Sequence, residues 1–590
     1  MKPWMVAAKK ADFEQIAARF GISPVTARLL RNRELISEEE IARFLSTDLS
    51  LMHDAALLTE GERCAELLAE KIRAGKRIRV VGDYDADGVT STAILLRGLR
   101  FLGAEADFRI PHRIHDGYGI NDAIIDEAAA DGVDTILTCD NGISAATQCV
   151  RAKELGMTVL VTDHHDIPFE EGSGAQILPE ADAVVNPKRD ASYPFHGICG
   201  AMVAHKVLTL TFLAMGREDE AAKRLLYDLT ELAAIGTVCD VMELKDENRV
   251  LVKDALPRMK ESSICGIRAL IAATGLSGKE IGVYHLGFIL GPCINATGRL
   301  DSAVRGVELL LTQDEHEAVR LATELKDLNE SRKNITAVYT EEAKQRIGDA
   351  PDKVLVIYLP EAHESVAGIV AGRVREAYGR PAIVLTKSED GGVKGSARSI
   401  PAYDMFRSLS AVSDLFTRFG GHPMAAGLSM RSEEDVERLR ERLNAACVLT
   451  EADFEETLHL DMELPPVYAT EALLEEWRRV LEPFGNGNER PLFAARDIQI
   501  LSARMLGKEG KVGKYTVRDA KGMRHTMMRF NETERFHAFL EEQFGAKAVA
   551  AMLSGDAASY DIKIKIAYYP DINEFRGQRS IQLILTDYRV

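Results

Sequence analysis

The 590-residue chain lacks what would cross-link it or hold it in a membrane. Eight cysteines with no CxxC pair are too few for a disulfide scaffold at this length, and a reducing cytoplasm is the compartment they predict. No window holds about 18 uncharged apolar residues in succession, which excludes a helical membrane span. The opening Met1-Lys2-Pro3-Trp4-Met5-Val6-Ala7-Ala8-Lys9-Lys10 turns basic again too soon for a secretory signal. No internal repeat and no low-complexity tract is present. What remains, 46% hydrophobic and 28% charged residues, is the composition of a folded, soluble protein. Single cores stop growing at roughly 250–300 residues, so three or four domains are expected. The net charge of −18 argues at first against a nucleic-acid partner. That argument is weak, because a total does not report local fields, and clustered metal-binding carboxylates are counted without their cations.

The pattern along the chain predicts an α/β protein. Residues 1–75 read as a polar helical extension, in which Ser37 and Glu40 form a capping box over an acidic first turn. From Ile78-Arg79-Val80-Val81 onward, strands alternate with helices. Thr135 to Thr138 and Thr158 to Val161 read as strands with a helix from Ala145 to Leu155 between them, predicting a parallel sheet over 76–310. No Gly or Pro interrupts Val307 to Ile347, so a long connecting helix is expected over 311–350. Strand-like runs at Lys353 to Tyr358 and Ala382 to Leu385 predict a second, smaller α/β domain over 351–448. Alternating segments such as Ile562-Lys563-Ile564-Lys565-Ile566 predict a small antiparallel barrel or sandwich over 449–590.

The sharpest local signal is Gly82-Asp83-Tyr84-Asp85-Ala86-Asp87-Gly88. Alternate carboxylates suggest a calcium loop, but the twelfth position counted from Asp83 is Ile94 rather than the bidentate Glu such a loop requires. The acids follow a strand and precede a helix, where open parallel sheets place their ligands. A solvated acidic turn is the alternative, yet three carboxylates within five residues repel one another unless a cation is present. Asp140 follows the second strand, Asp163-His164-His165 follows the third, and Asp240 follows another apolar run, Leu232 to Cys239. These four sites are expected to converge on one edge of the sheet. Carboxylates mixed with imidazole suit manganese better than calcium. With five or six ligands, two metals are expected; a pair about 3.5–4 Å apart can activate water and stabilise the leaving oxygen in phosphate displacement.

In this order the segments centred on Asp83 to Ser91, Asp140, Asp163-His164-His165 and Ile235 to Asp240 resemble the four motifs of the DHH phosphoesterase superfamily. Within it the chain is similar, over nearly its whole length, to the RecJ family of single-strand-specific 5′→3′ DNA exonucleases. Gly117-Tyr118-Gly119, Ile294 to Asp301, the glycine-rich Gly420 to Gly427, Pro483 to Asn488 and Asn573-Glu574-Phe575-Arg576-Gly577 carry that similarity. The resemblance implies a DHH domain, a DHHA1 domain and a C-terminal OB-fold barrel. It implies that Asp87, Asp140, His164 and Asp240 hold one Mn²⁺ or Mg²⁺ ion and that Asp83, Asp85 and Asp140 serve a second, with His165 facing the scissile phosphate. Asn295, Arg299, Arg373, Arg398, Gly421 and His422 are implied on the substrate side, the last two from a glycine loop. Arg398 lies in the basic, small-residue segment Lys394 to Ser399, which reads as an anion-binding loop. Tyr515, Phe530 and Phe575 are candidates for stacking bases on the barrel. Cys293 stands where the family usually has Arg, and Ala362 where a Trp commonly precedes His363; both read as substrate-side positions.

The implied substrate is single-stranded DNA, threaded between the two α/β domains and onto the barrel. Single-strand-binding protein and a RecQ-type helicase are the implied partners, and a monomer is the default state. Two other readings compete. A phosphodiesterase for short RNA oligonucleotides or cyclic dinucleotides needs no extended barrel. A non-catalytic single-strand scaffold loses metal ligands, and this chain keeps them.

Overall fold

The computed structural model describes the chain except residues 1–2, 114–115, 118, 171, 301, 349–350, 389–390, 456, 508–510, 557–559 and 576, and the side chain of Leu300. Tyr118, Asp301 and Arg576, from the family-like segments above, therefore lie outside the described residues. Two compact units form, one from residues 47–454 and the other from residues 1–46 with 455–590. Among the described residues, no helix is long and apolar enough to cross a membrane.

In the larger unit Ile78–Val81 is buried at all four positions, as a parallel strand covered on both faces must be. It lies between Ala106–Arg109 and Thr135–Cys139, and the sheet continues through Thr158–Thr162 to Ala183–Val185, every pairing parallel. Period-2 alternation splits the core in two. Ile78, Val80, Leu137 and Leu160 face one hydrophobic cluster, which includes residues of the helices Ala86–Phe101, Gly200–Ala214 and Glu220–Cys239. Val81, Ile136, Val159 and Val161 face the other, with Ile124, Ile125 and Cys149 of the helices Asp122–Ala130 and Ala146–Glu154. The chain leaves Ile78–Val81 toward one side and returns on the other. This opens a crevice at the carboxyl ends of Ile78–Val81 and Thr135–Cys139, the topological switch point of the sheet.

The apolar run before Asp240 is not a strand. It is the buried C-terminal half of the helix Glu220–Cys239, apolar on all sides because the core surrounds it, which removes the periodicity that would mark a helix. The long connecting helix begins later than expected. Val304–Leu311 stops, and Glu315–Ile347 starts afresh because the Asp314 carboxylate accepts from the amides of His316 and Glu317.

The smaller α/β part of this unit has a five-stranded sheet in the order Arg418–His422, Ala425–Met430, Val393–Arg398, Ala382–Lys387, Leu355–Tyr358. Two expected loops are strands here. Lys394 to Arg398 pairs antiparallel with neighbours on both sides. Its small residues serve close packing rather than a turn: a Cβ on Gly395 would lie 2.4 Å from Leu385 Cδ2. The glycine-rich segment is an edge hairpin, with Gly421 opposite Ala426 and His422 opposite Ala425.

In the second unit Phe493–Leu506 pairs with both Val512–Arg518 and Ile562–Phe575, so the sheet closes on itself through Arg524–Phe530 and Gln578–Arg589. Tyr515 cannot stack bases, because it is buried inside this barrel with its hydroxyl 2.9 Å from His537 Nε2. Phe530 and Phe575 are exposed. The segment expected as one N-terminal extension is divided. Trp4–Val6 pairs with Leu458–Leu460, and Leu29, Leu30, Ile41 and Phe44 join the barrel core. Gly61–Arg73 instead packs in the larger unit, through Cys64, Leu68 and Ile72. The Ser37–Glu40 capping box forms.

Candidate metal centre

Asp83, Asp85 and Asp87 leave the carboxyl end of Ile78–Val81, and each is held differently. Asp85 caps the helix Ala86–Phe101, accepting from the amides of Asp87 and Gly88 at 2.9 and 3.1 Å. Asp87 accepts from the amides of Gly200 and Ala201, at 2.7 and 2.9 Å, at the N-terminus of Gly200–Ala214. Asp140, at the end of the neighbouring strand, adopts a left-handed backbone with φ 60°, which Asp tolerates better than most residues. Two glycines let the helices close in: a Cβ on Gly200 would meet Asp140 Cβ at 2.7 Å, and one on Gly236 would meet Asp87 Oδ1 at 2.5 Å. Asp240 follows the last residue of Glu220–Cys239.

The structure gathers these side chains around His164. Its Nε2 lies 3.0 Å from Asp140 Oδ1 and 3.6 Å from both Asp87 Oδ2 and Asp240 Oδ2. Three sets of potential ligand atoms each lie within 4.8 Å of one another: Asp87–His164–Asp240, Asp83–Asp85–Asp140 and Asp140–His164–His165. Burial, then the mutual repulsion of the acids, holds the carboxyls of Asp83, Asp85 and Asp140 above the usual range. The same causes push Asp240 up to about 8. Burial pulls His164 down and so favours the neutral imidazole that ligates metals. Among the described residues neither ring nitrogen of His164 has a hydrogen-bond partner, and Asp83 Oδ1 is also buried without one. Unpartnered imidazole nitrogen set among oxygen donors is the chemistry of a divalent-cation site, and the residues fit one.

Asp163 belongs to the triplet but is not in any of the three gathered sets. Its Oδ1 accepts from the amides of His164 and His165 and lies 2.7 Å from His165 Nδ1, and its Oδ2 accepts from Ile143 N. Burial works against the charged ring of His165, but the Asp163 bond and the carboxylates of Asp240 and Asp87 raise its pKa to about 9. With the carboxylates unliganded, the protonated ring of the half-exposed His165 is therefore favoured, and Asp163 orients it. The triplet made Asp163 visible in the sequence, but only the geometry separates its positioning role from ligation.

Other expected residues are placed as follows. Asn295 Oδ1 accepts from Ala86 N at 2.7 Å, so it seats the acidic loop. Gly298, on the same helix, packs so closely that a Cβ would lie 2.4 Å from Tyr84 O. Arg299 donates to Ser365 O at 2.7 Å, tying this helix to Glu364–Tyr378, which carries the exposed Arg373. Arg398 Nη2 would be 3.0 Å from a Cβ on Gly368, a glycine that makes room for the guanidinium. His422 stands exposed on the hairpin beside Gly421, and its Nδ1 accepts from Met424 N at 3.3 Å; neither residue is among the gathered ligands. Cys293 and Ala362 do not face a strand: they are 1% and 4% exposed, inside two hydrophobic cores.

Sequence reasoning missed two arginines. Arg113 lies with its Cζ 4.7 Å from the Tyr84 ring centroid, and Arg332 projects from Glu315–Ile347. Among the described residues, no carboxylate lies within 4.0 Å of Arg113, Arg299, Arg332, Arg373 or Arg398. Burial, then repulsion from Arg113, Arg332 and Arg398, pushes Arg299 down to about 9. A groove of about 290 Å³ includes Arg113 of this row in its lining, with Ser365, Ser396, Arg418 and the ion pair of Lys394 with Glu364.

Comparison with known proteins agrees with this architecture. Residues 77–237 match the DHH family N-terminal domain, 352–448 the DHHA1 domain and 460–587 the RecJ OB domain. The single-stranded-DNA-specific exonuclease RecJ of Salmonella typhimurium is 35% identical, over 96% of this chain and 96% of its own. Two crystal structures of RecJ from Thermus thermophilus align with the whole chain. The Mn²⁺ complex does so at TM-score 0.80 and 29% identity over 79% of that chain, and the Mg²⁺ complex at 0.75 and 28% over 78%. With every expected metal-binding side chain present and gathered at the switch point, the chain belongs to the RecJ family.

Proposed function

We propose that the protein is a metal-dependent exonuclease that hydrolyses the phosphodiester bonds of single-stranded DNA from the 5′ end, releasing mononucleotides in DNA repair and recombination. One observation carries this: an acidic, imidazole-bearing crevice lies beside a row of guanidiniums that have no carboxylate within 4.0 Å among the described residues. Asp87, His164, Asp140 and Asp240 would hold one Mn²⁺ or Mg²⁺ ion, and Asp83, Asp85 and Asp140 a second. When bound, such cations supply a water nucleophile at neutral pH and stabilise charge on the phosphoryl oxygens.

The chain's own residues do the rest. Asp163 keeps His165 protonated and oriented, so that its exposed edge can donate to the phosphate as negative charge builds. Arg299, Arg373 and Arg398 hold backbone phosphates, and the Gly200–Ala201 amides keep Asp87 in its ligating pose. The barrel supplies a platform for the strand, with exposed Phe530 and Phe575 available for stacking. Such an enzyme needs strands already unwound. That supports a helicase of the RecQ type and a single-strand-binding protein as partners. The eight free cysteines suit a reducing cytoplasm.

The test is to incubate the protein and Mn²⁺ with single strands labelled at the 5′ or the 3′ end. Immediate release of labelled mononucleotide from the first, with stepwise shortening of the second, is expected. Cleavage confined to very short oligonucleotides or cyclic dinucleotides would replace the reading with the small-substrate alternative.

A further inference from the structure

The helix Glu315–Ile347 treats its basic residues unequally. Arg320 pairs with Glu317 and Glu324, Lys326 with Glu330, Lys344 with Glu341 and Arg346 with Glu342. These are the surface pairs expected at spacings of three and four. Among the described residues Lys333 has no such partner, and neither has the neighbouring Arg332, which is held in another way. Its Nε and Nη2 both donate to one neutral acceptor, Asn329 Oδ1, at 3.1 and 2.8 Å. Asn329 is itself 2% exposed, and its amide nitrogen donates to Cys293 Sγ at 3.4 Å. The Cys293 thiol, also buried, donates to Ile289 O at 3.2 Å. One edge of the guanidinium is therefore fixed by a buried, uncharged chain of contacts. Three of its five N–H groups remain, and its charge is not neutralised.

Cys293 also sits on the helix that carries Asn295 and Arg299, so this chain of contacts brings Arg332 toward the guanidinium row. Repulsion between Arg332 and Arg299, and between Arg332 and Arg373, places all three in one local field. Holding several uncompensated cations together is unfavourable unless an anion enters. A small thiol at 293 leaves room for the Asn329 amide, and the amide directs the fork.

We propose that Arg332 grips a backbone phosphate of the substrate strand, with Asn329 seated on Cys293 as the positioning residue that aims it. The proposal rests on the nuclease reading for its substrate class, but its test does not require cleavage. Binding of a short single strand with phosphorothioate linkages is measured with the full-length protein and Mn²⁺ across a salt series. Arg332→Gln is expected to weaken binding about tenfold and to reduce the log–log salt slope by about 0.7, the contribution of one phosphate contact on a single strand. Arg332→Lys should restore the slope and only part of the affinity, because the ammonium keeps the charge and loses the fork. Asn329→Leu should weaken binding with the charge still present. A Mn²⁺-binding isotherm and a melting curve matching the wild type establish that each variant is folded. An unchanged slope in Arg332→Gln overturns the phosphate contact, and wild-type affinity in Asn329→Leu overturns the aiming. Failure of the wild type to degrade an unmodified strand would instead remove the nuclease reading, and is seen separately.

Discussion

The larger unit contains two clusters of like charge, and they differ from the buried ion pairs around them. In two such pairs Arg79 lies between Asp107 and Asp131, and Lys206 lies 3.0 Å from Glu247. At the switch point five carboxylates gather with His164, three of them within 3.6 Å of its Nε2, and among the described residues five nearby arginines have no carboxylate within 4.0 Å. Assembling either cluster in a folded chain costs stability, because like charges are desolvated together. The offsetting charge must come from outside: cations for the first and an anion for the second. A phosphodiester held with its divalent ions supplies both. A net charge of −18 conceals this arrangement, since it adds the two clusters together.

The largest expected effect comes from breaking the acidic cluster at its shared member. Asp140 belongs to two of the three ligand sets, and Asn keeps its shape and tolerates its left-handed backbone. Asp140→Asn should reduce strand cleavage by about 10³-fold, on the scale of losing a principal stabilising group. The metal-free protein should nevertheless melt higher than the wild type, because one repelling carboxylate has gone. End-labelled cleavage and calorimetry in chelator read the two effects. A lower metal-free melting temperature would mean that the cluster is not strained by its own charge, and the comparison would fail.

Burial alone must be separated from clustering, and His205 allows this. It lies in the helix whose first amides hold Asp87, with its Nε2 2.9 Å from Leu226 O. Burial lowers its pKa to about 4, and nearby Lys206 adds to this. Between pH 6.5 and 4 the unfolded chain therefore binds the extra proton. Stability is full above the upper value and falls with acidification, by about 3 kcal/mol at pH 4. Denaturant titrations along this range should show the decline, and His205→Gln should flatten it. Saturating Mn²⁺ should act differently, adding about 2.7 kcal/mol at one hundred times its dissociation constant. That gain should be present in His205→Gln and absent in Asp140→Asn. Equal gains in both variants would detach the metal from the acidic cluster.

How much of this was legible depended on whether the signal was local. Asp83, Asp85 and Asp87 declared themselves because a strand, three alternate acids and a helix start are contiguous. The strand ends at Asp140 and His164 followed the same rule. Asp240 was found through its motif, but its apolar run did not reveal the element, since a helix buried on all sides carries no periodicity. The arginine row was only half legible. Arg299, Arg373 and Arg398 came through resemblance, whereas Arg113 and Arg332 depend on contacts far apart in sequence. The glycines of 420–427 and 394–399 read as loops because glycine marks turns. Here the sheet needs them for close approach, as Gly395 against Leu385 and Gly421 against Ala425 make plain.

The smallest expected effect sharpens the comparison most, because it asks whether the basic cluster behaves as the acidic one does. Among the described residues Arg299 donates one hydrogen bond, to Ser365 O, and it feels the charges of Arg113, Arg332 and Arg398. Arg299→Met keeps the length of the stem and removes the charge. Without substrate the variant should be no less stable than the wild type, since the lost hydrogen bond is offset by relief of repulsion among the remaining guanidiniums. With substrate it should show about a tenfold rise in KM for a long single strand and little change in kcat, as expected when a contact equal in ground and transition states is lost. Denaturant midpoints and steady-state cleavage under Mn²⁺ measure the two halves. A destabilised variant with unchanged KM would make Arg299 an interdomain tie rather than a phosphate ligand. The two clusters would then differ in kind: the acidic one built for a ligand, and the basic one for holding the two α/β parts of the unit together.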